Sequence, residues 1–195
     1  TNLSDANHDG TVDQKDIEQI TQIIQGDEDT LTLIDTANRT ITLKMPIKKI
    51  VAVTGDAAEA IRVLHATNKV VGVSVDTLDD ATYLPDFSKM PSVGKWSEPD
   101  IETILTLEPD LAISYKSAAT KYLEPKLNGT GIPIVALDLY RADDLPAEMK
   151  LLGYIVGKTD YADEYLKFFY NITDAIQAKT SKLPADKKAR VYLEG

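Results

Sequence analysis

Ile50-Val51-Ala52-Val53-Thr54-Gly55-Asp56 decides the fold: four apolar residues in a row run into a polar turn, and a helical pattern starts at Ala57. An unbroken apolar run of this length, rich in β-branched residues, suits a strand buried on both faces, and such strands belong to parallel sheets. The alternation then repeats. Ala57 to Thr67 reads as helix, Val70 to Val75 as strand, Asp100 to Leu107 as helix, Leu111 to Tyr115 as strand, Ala118 to Leu127 as helix and Ile134 to Asp138 as strand. Short helices alternating with short apolar strands predict an α/β fold, a mostly parallel sheet flanked by helices. Ligands on such sheets lie outside the carboxyl ends of the strands. Those loops begin at Thr54-Gly55-Asp56, Asp76-Thr77, Tyr115-Lys116 and Leu139-Tyr140-Arg141.

Upstream of this unit, Thr30 to Asp35 and Arg39 to Lys44 alternate in the strand period, and Thr36-Ala37-Asn38 between them has hairpin length. Downstream, Asp160 to Leu183 carries an apolar stripe through Tyr161, Tyr165, Phe168, Phe169, Ile172 and Ile176, and Pro184 ends it. Between Asp138 and Asp160 the pattern names no element. Ala189 to Glu194 reads as the start of a further strand, so the sequence is expected to be the first part of a longer protein. The expected segments are a small N-terminal one over 1–28, an α/β lobe over 30–158, a long helix over 159–184 and the beginning of a second lobe over 188–195.

One loop stands out chemically. Val93-Gly94-Lys95-Trp96-Ser97-Glu98-Pro99-Asp100-Ile101-Glu102 holds the only tryptophan and leads straight into a helix. Ser97 is the expected N-cap, with Pro99 and Asp100 in the first turn. Apolar residues at 101, 104, 105 and 107 are expected to face inward, which leaves Glu102 exposed. Trp96 reads equally as a half-buried packing residue. At the strand-end loops, Tyr115, Tyr140 and Arg141 offer aromatic faces and a guanidinium suited to a large planar or anionic ligand, or else are ordinary surface residues. Asp56 fits either the cleft or an N-cap of the following helix.

The charge distribution isolates a different feature. The chain carries a net charge of −10, which argues against a nucleic-acid surface. Residues 1–30 hold eight acids against Lys15 alone, a net of −7, leaving only −3 for everything after them. Within that head, Asp5, Asn7, Asp9, Asp13 and Asp16 fall at positions 1, 3, 5, 9 and 12 of a loop with Gly10 at position 6, and Thr11 offers its backbone carbonyl at position 7. Alternate oxygens on a tightly turned loop are the EF-hand calcium pattern, with Asp16 in place of the usual glutamate. A helix follows with Ile17, Ile20, Ile23 and Ile24 on one side and Gly26 at its end. A calcium ion held there is structural. The absence of cysteine excludes a disulfide framework and thiol catalysis, and no run approaches the ~20 apolar residues that span a bilayer.

The acidic head resembles one repeat of a dockerin, the calcium-folded module in which a D-x-N-x-D-G loop precedes a single helix. It is either half of such a module or a lone calcium clip. The body resembles the class III (helical-backbone) substrate-binding proteins of ABC importers, the group that captures ferric siderophores, haem and cobalamin. The likeness rests on Lys48-Lys49-Ile50-Val51-Ala52, the Gly55-Asp56-Ala57-Ala58-Glu59-Ala60 helix start, Asn68-Lys69-Val70-Val71-Gly72-Val73, the Val93 to Glu102 segment and Leu107-Glu108-Pro109-Asp110-Leu111-Ala112-Ile113. It implies two α/β lobes joined by one long helix, with a metal-chelate ligand between them and an extracytoplasmic, tethered setting. By the same resemblance Glu102 matches the glutamate that docks on the membrane permease, and Trp96 an aromatic that lies against the ligand. Lys95 beside it is placed to pair with a ligand carboxylate.

Two other readings are weighed against this one. An enzyme finds no support, since the chain lacks a G-x-S-x-G elbow, a G-x-G-x-x-G loop and a P-loop, and His8 and His65 are its only histidines. His65 is expected to pack within the Ala57 to Thr67 helix. The alternative is a dockerin-bearing cell-surface assembly module, with a cohesin-like partner and the α/β body as cargo. The sequons at Asn2, Asn38, Asn128 and Asn171 permit an extracellular setting.

Overall fold

The computed structural model describes residues 11–25 and 29–192. Four strands form the central sheet: β3 (Ile50–Ala52), β4 (Val70–Val73), β7 (Leu111–Ser114) and β8 (Ile134–Ala136), all parallel, in the order β4-β3-β7-β8. Their residues are buried on both faces, as continuous apolar runs require. The chain goes from β3 outward to β4, then crosses back to place β7 on the other side of β3. The β3/β7 boundary is therefore a topological switch point, where two strand-end loops diverge and leave a crevice.

Helices cover both faces. Against one pack α2 (Gly55–Val63) and α7 (Leu145–Val156), sharing a core with Ile50, Ala52, Leu111, Ile113, Val135 and Leu137. Against the other lie α4 (Ile101–Leu107) and a composite helix, α5 (Lys116–Ala118) continuing through a wide π turn at Ala119–Leu123 into α6 (Glu124–Leu127). Ile104, Ala119, Leu123 and Leu127 meet Val51, Val53, Ala112 and Ala136 there. The Pro109-Asp110 pair has a structural job: the Asp110 carboxylate accepts the N–H groups of Lys48 and Lys49 at 2.7 and 2.9 Å, tying the entry of β3 to that of β7.

The hairpin β1 (Thr30–Ile34) and β2 (Thr40–Lys44) forms as its alternation predicts. Its turn docks on β8. Buried Asp35 accepts the Ala136 N–H at 3.1 Å and the Arg39 guanidinium at 2.6 Å, and Arg39 reaches the Ile134 carbonyl at 3.1 Å. The Thr36 N–H donates to the Ala136 carbonyl, so the outer edge of β8 is paired rather than bare.

Several boundaries differ from the sequence reading. α2 ends at Val63, because His65 takes a left-handed φ of 54° and stacks on Tyr161 at 4.4 Å instead of packing inside a helix. Thr54 is the N-cap of α2: its side chain accepts the Ala57 N–H. β4 stops at Val73, since Ser74 caps a short helix α3 (Val75–Asp79) that takes up the expected loop at Asp76-Thr77. β7 and β8 likewise end before Tyr115 and Asp138.

α7 is an element the periodicity reading omits, although Pro146 near its start and Gly157 at its left-handed end are ordinary helix punctuation. The long helix α8 (Thr159–Thr180) packs on α7 where Gly153 meets Ala162, a contact so close that a Cβ on Gly153 would lie 2.7 Å from that of Ala162. Its later turns expose Phe168, Tyr170, Ile172 and Ile176. The strand expected over Ala189 to Glu194 does not form in its described part, 189–192, where no neighbouring strand offers a ladder; Leu193 and Glu194 lie outside the described residues. The head helix α1 (Gln14–Gln25) forms, but its apolar side is largely open, with Ile17, Ile20 and Ile24 exposed and only Ile23 packed on the core. Gly26 and the calcium-loop residues Asp5, Asn7 and Asp9 lie outside the described residues.

Candidate functional site

The loop bearing Trp96 is built on the sheet's edge. Val73 donates to the Pro91 carbonyl and accepts from the Val93 N–H, so Pro91 to Val93 runs parallel to β4 and emerges at its carboxyl end. There the chain folds into a small antiparallel hairpin, β5 (Gly94–Lys95) and β6 (Glu98–Pro99), with Trp96-Ser97 as its two-residue tip. Gly94 has φ +81°, and a Cβ there would lie 2.6 Å from the Glu98 carbonyl oxygen, so only glycine fits. Ser97 is therefore a turn residue and not the helix cap. Asp100 caps α4 instead, accepting the Thr103 N–H at 3.0 Å and its hydroxyl at 2.7 Å. These bonds, the backbone one first, hold the Asp100 carboxyl below its ordinary value.

At the switch point the loops after β3 and β7 are joined. The Tyr115 hydroxyl donates to an Asp56 carboxylate oxygen, across the crevice between the two strands. Burial first, and then that bond, push the Tyr115 phenol well above its usual range. Tyr115 also lies at the centre of an aromatic chain, edge-on to Trp96 at 5.9 Å and to Tyr140 at 5.4 Å. Its two outer rings remain open, Trp96 at 38% and Tyr140 at 60% exposure. Around Asp56, Trp96 and Tyr115 opens a cleft of about 330 Å³, completed by Gly55, Glu59, Asp76, Thr77, Asp80, Tyr83 and Leu84. Tyr83 donates to Glu59 at 2.6 Å, and that bond raises its phenol.

Tyr140 owes its position to a residue the sequence reading did not single out. Glu148 on α7 is buried, and its carboxylate accepts the N–H groups of Asp138 at 2.9 Å and Leu139 at 2.6 Å and the Thr36 hydroxyl at 2.5 Å. Leu139 is held at φ +58°, unusual for a residue with a branched side chain. Asp138 in turn accepts the Lys116 N–H, linking the β8 and β7 exits. The available signal was an acid three residues into the largely apolar stretch Leu145–Val156, just after Pro146.

The structure thus brings together Asp56, Trp96, Tyr115 and Tyr140. It does not bring in Lys95 and Arg141. Neither lines the cleft: Lys95 is exposed on β5, and Arg141 pairs with Asp144 at 3.3 Å. Glu102 stands exposed in the first turn of α4 and does not line it either. A larger open groove of about 790 Å³ lies at the opposite, amino ends of the strands, between β2 and the 128–134 segment. Lys44 and Lys48 line it beside Arg39, which is occupied by Asp35 and Glu124, and the switch point lies at the other end of the sheet.

A parallel sheet with loops converging on an aromatic crevice at its switch point defines an α/β ligand-binding lobe. Comparison with known proteins makes this specific. Residues 50–195 match the periplasmic binding protein family, and the chain belongs to that family, whose members are solute binders and not enzymes. It is 26% identical over 167 residues to an uncharacterized ABC transporter substrate-binding lipoprotein of Bacillus subtilis, covering 84% of this chain and 52% of that protein. To a vitamin B12-binding protein of Pectobacterium atrosepticum it is 28% identical over 114 residues, covering 57% of this chain and 41% of that one. Among solved structures, the molybdate-bound periplasmic binding protein of Haemophilus influenzae superposes with a TM-score of 0.73 at 20% identity, covering 82% of this chain and 56% of that chain. The chain spans about half the length of the relatives it matches. No helix among the described residues is long and apolar enough to cross a membrane.

Proposed function

We propose that this chain supplies one lobe of the extracytoplasmic substrate-binding component of an ABC importer, which captures a metal chelate such as a ferric siderophore, haem or cobalamin. The observation that carries the reading is the Trp96–Tyr115–Tyr140 array standing open at the switch point, since exposed aromatic faces at a strand-end crevice suit a large, flat or ring-bearing ligand. The names of the B12-binding and substrate-binding relatives support the class. Residues 30–158 form the lobe, 159–184 the connecting helix, and the apolar side chains along the later turns of α8 await a second lobe. Glu102, exposed at the start of α4, is the residue that docks on an arginine of the permease.

Titrating the full-length protein with haem, cobalamin and ferric siderophores tests this, with Trp96→Ala as the control. At least one chelate binds, and the variant weakens it about ten-fold, the loss of one aromatic contact of ~1–1.5 kcal/mol. Binding of none of the three overturns the reading.

The head is read separately. We propose that Asp5, Asn7, Asp9, the Thr11 carbonyl, Asp13 and Asp16 hold a structural calcium ion in a dockerin-like loop. Of the described part, Asp16 is buried in the first turn of α1 and accepts the Asp13 N–H at 2.7 Å, while Asp13 accepts the Lys15 N–H at 2.8 Å. Both carboxylates lie at the start of α1, bonded to backbone N–H groups there, and side-chain oxygens are the donors a hard cation takes. The open isoleucine side of α1 favours the alternative that this head also binds a partner, a cohesin-like domain, and that the body is its cargo.

A further inference from the structure

We propose that the ligand turns a positively charged face to this lobe, so that the cleft selects cationic chelates over neutral or anionic ones of the same shape. This rests on the ligand-cleft reading above. The walls of the cleft carry four carboxylates, Asp56, Glu59, Asp76 and Asp80, and neither a lysine nor an arginine. The partners of Asp56 and Glu59 are phenol hydroxyls, which bring no positive charge. The carboxylates of Asp76 and Asp80 accept no hydrogen bond and form no ion pair among the described residues, only their backbone carbonyls being used, and both residues are exposed.

The cations nearby are directed elsewhere. Arg62 binds the Asp86 carboxylate at 2.8 Å and the Tyr83 carbonyl at 2.8 Å, and Arg141 pairs with Asp144. The aromatic groups act with the same sign. Trp96 and Tyr115 line the cleft, and aromatic faces attract cations through their quadrupoles, as the Tyr83 ring beside them does with the Arg62 guanidinium 5.9 Å from its centre. Carboxylates gathered in a concavity focus their field into it and raise the local concentration of positive solutes. An anionic chelate would meet four negative charges and neither a lysine nor an arginine in the cleft wall.

Two matched pairs of probes isolate charge from shape. Ferrioxamine B carries a free ammonium that its N-acetyl derivative lacks, and aquocobalamin is cationic where cyanocobalamin is neutral; the tricatecholate ferric enterobactin is the anionic comparison. Binding to the full-length protein is measured by calorimetry at low and high salt, for the native protein and for Asp76→Asn with Asp80→Asn. The cationic member of a bound pair is expected to bind at least five-fold more tightly at low salt, with about five-fold contributed by each nearby carboxylate. High salt and the double variant should shrink that preference. Equal or tighter binding of the neutral member or the tricatecholate overturns the charge selection and leaves chelate capture standing, as does a preference unchanged in the double variant. Binding of no probe overturns the charge selection, and failure of haem to bind as well overturns chelate capture with it.

Discussion

Replacing Glu148 should loosen the loop that presents Tyr140 while leaving the sheet intact. In the native protein its carboxylate satisfies two buried backbone donors, Asp138 and Leu139, and the half-buried Thr36 hydroxyl. Glu148→Ala removes both acceptor oxygens, and with them all three hydrogen bonds, at once. A buried donor left unpaired costs about 1–3 kcal/mol, so the two backbone groups set a loss of about 2–6 kcal/mol; Thr36 can turn to water. Two effects reduce it. Leu139 at φ +58° stores about 1 kcal/mol or more of strain, which a freed loop releases, and a buried carboxylate carries a desolvation cost that the alanine removes. The expected net loss is about 2–4 kcal/mol. Glu148→Gln keeps one acceptor oxygen and should lose about half as much.

Urea unfolding of both variants supplies the stability change, and amide hydrogen exchange supplies the location. Exchange at Asp138 and Leu139 should accelerate in Glu148→Ala well beyond exchange at Val51, Ile113 or Val135, all in the sheet interior. A loss below about 1 kcal/mol, or acceleration spread evenly over the sheet, would refute the argument that Glu148 acts through the loop.

Two further outcomes follow from the same geometry. The phenols of Tyr115, Tyr83 and Tyr165 are all raised, Tyr115 and Tyr165 chiefly by burial and Tyr83 chiefly by its bond to Glu59; their contribution to stability is therefore constant below the unfolded phenol value of about 10 and falls as pH rises above it, because the unfolded chain then releases protons that the folded one retains. In an alkaline titration followed by phenolate absorbance, Tyr115→Phe should remove a late-ionising step, and an unchanged titration would contradict the raised Tyr115 phenol. Chelation of calcium with EDTA should melt the helical signal of α1 and leave ligand binding by the full-length protein intact; loss of both together would place the head inside the binding architecture.

What was legible in the sequence was local. The alternation of apolar runs and amphipathic stretches from Ile50 onward encodes strands buried on both faces and helices that cover them, so the α/β class, the β1–β2 hairpin and the strand-end loops could be read directly. Periodicity also set Trp96 on a turn and Glu102 off the apolar stripe of α4. Helix ends were less secure, because capping is decided by side-chain geometry: Asp100 and not Ser97 caps α4, and Thr54 and not Asp56 caps α2.

What only the tertiary structure decided is which distant residues meet. Asp56 and Tyr115 are 59 positions apart and touch because strand order places β3 beside β7. Glu148 reaches a loop it follows only because α7 returns across the same face of the sheet. The charge of the cleft is likewise a product of folding: Lys95, adjacent in sequence to Trp96, stays outside, and Glu59, Asp76 and Asp80, with no aromatic neighbour in sequence, line it. Sequence neighbours share a backbone segment, but in a strand or turn their side chains diverge, and the sign of a site depends on which ones converge.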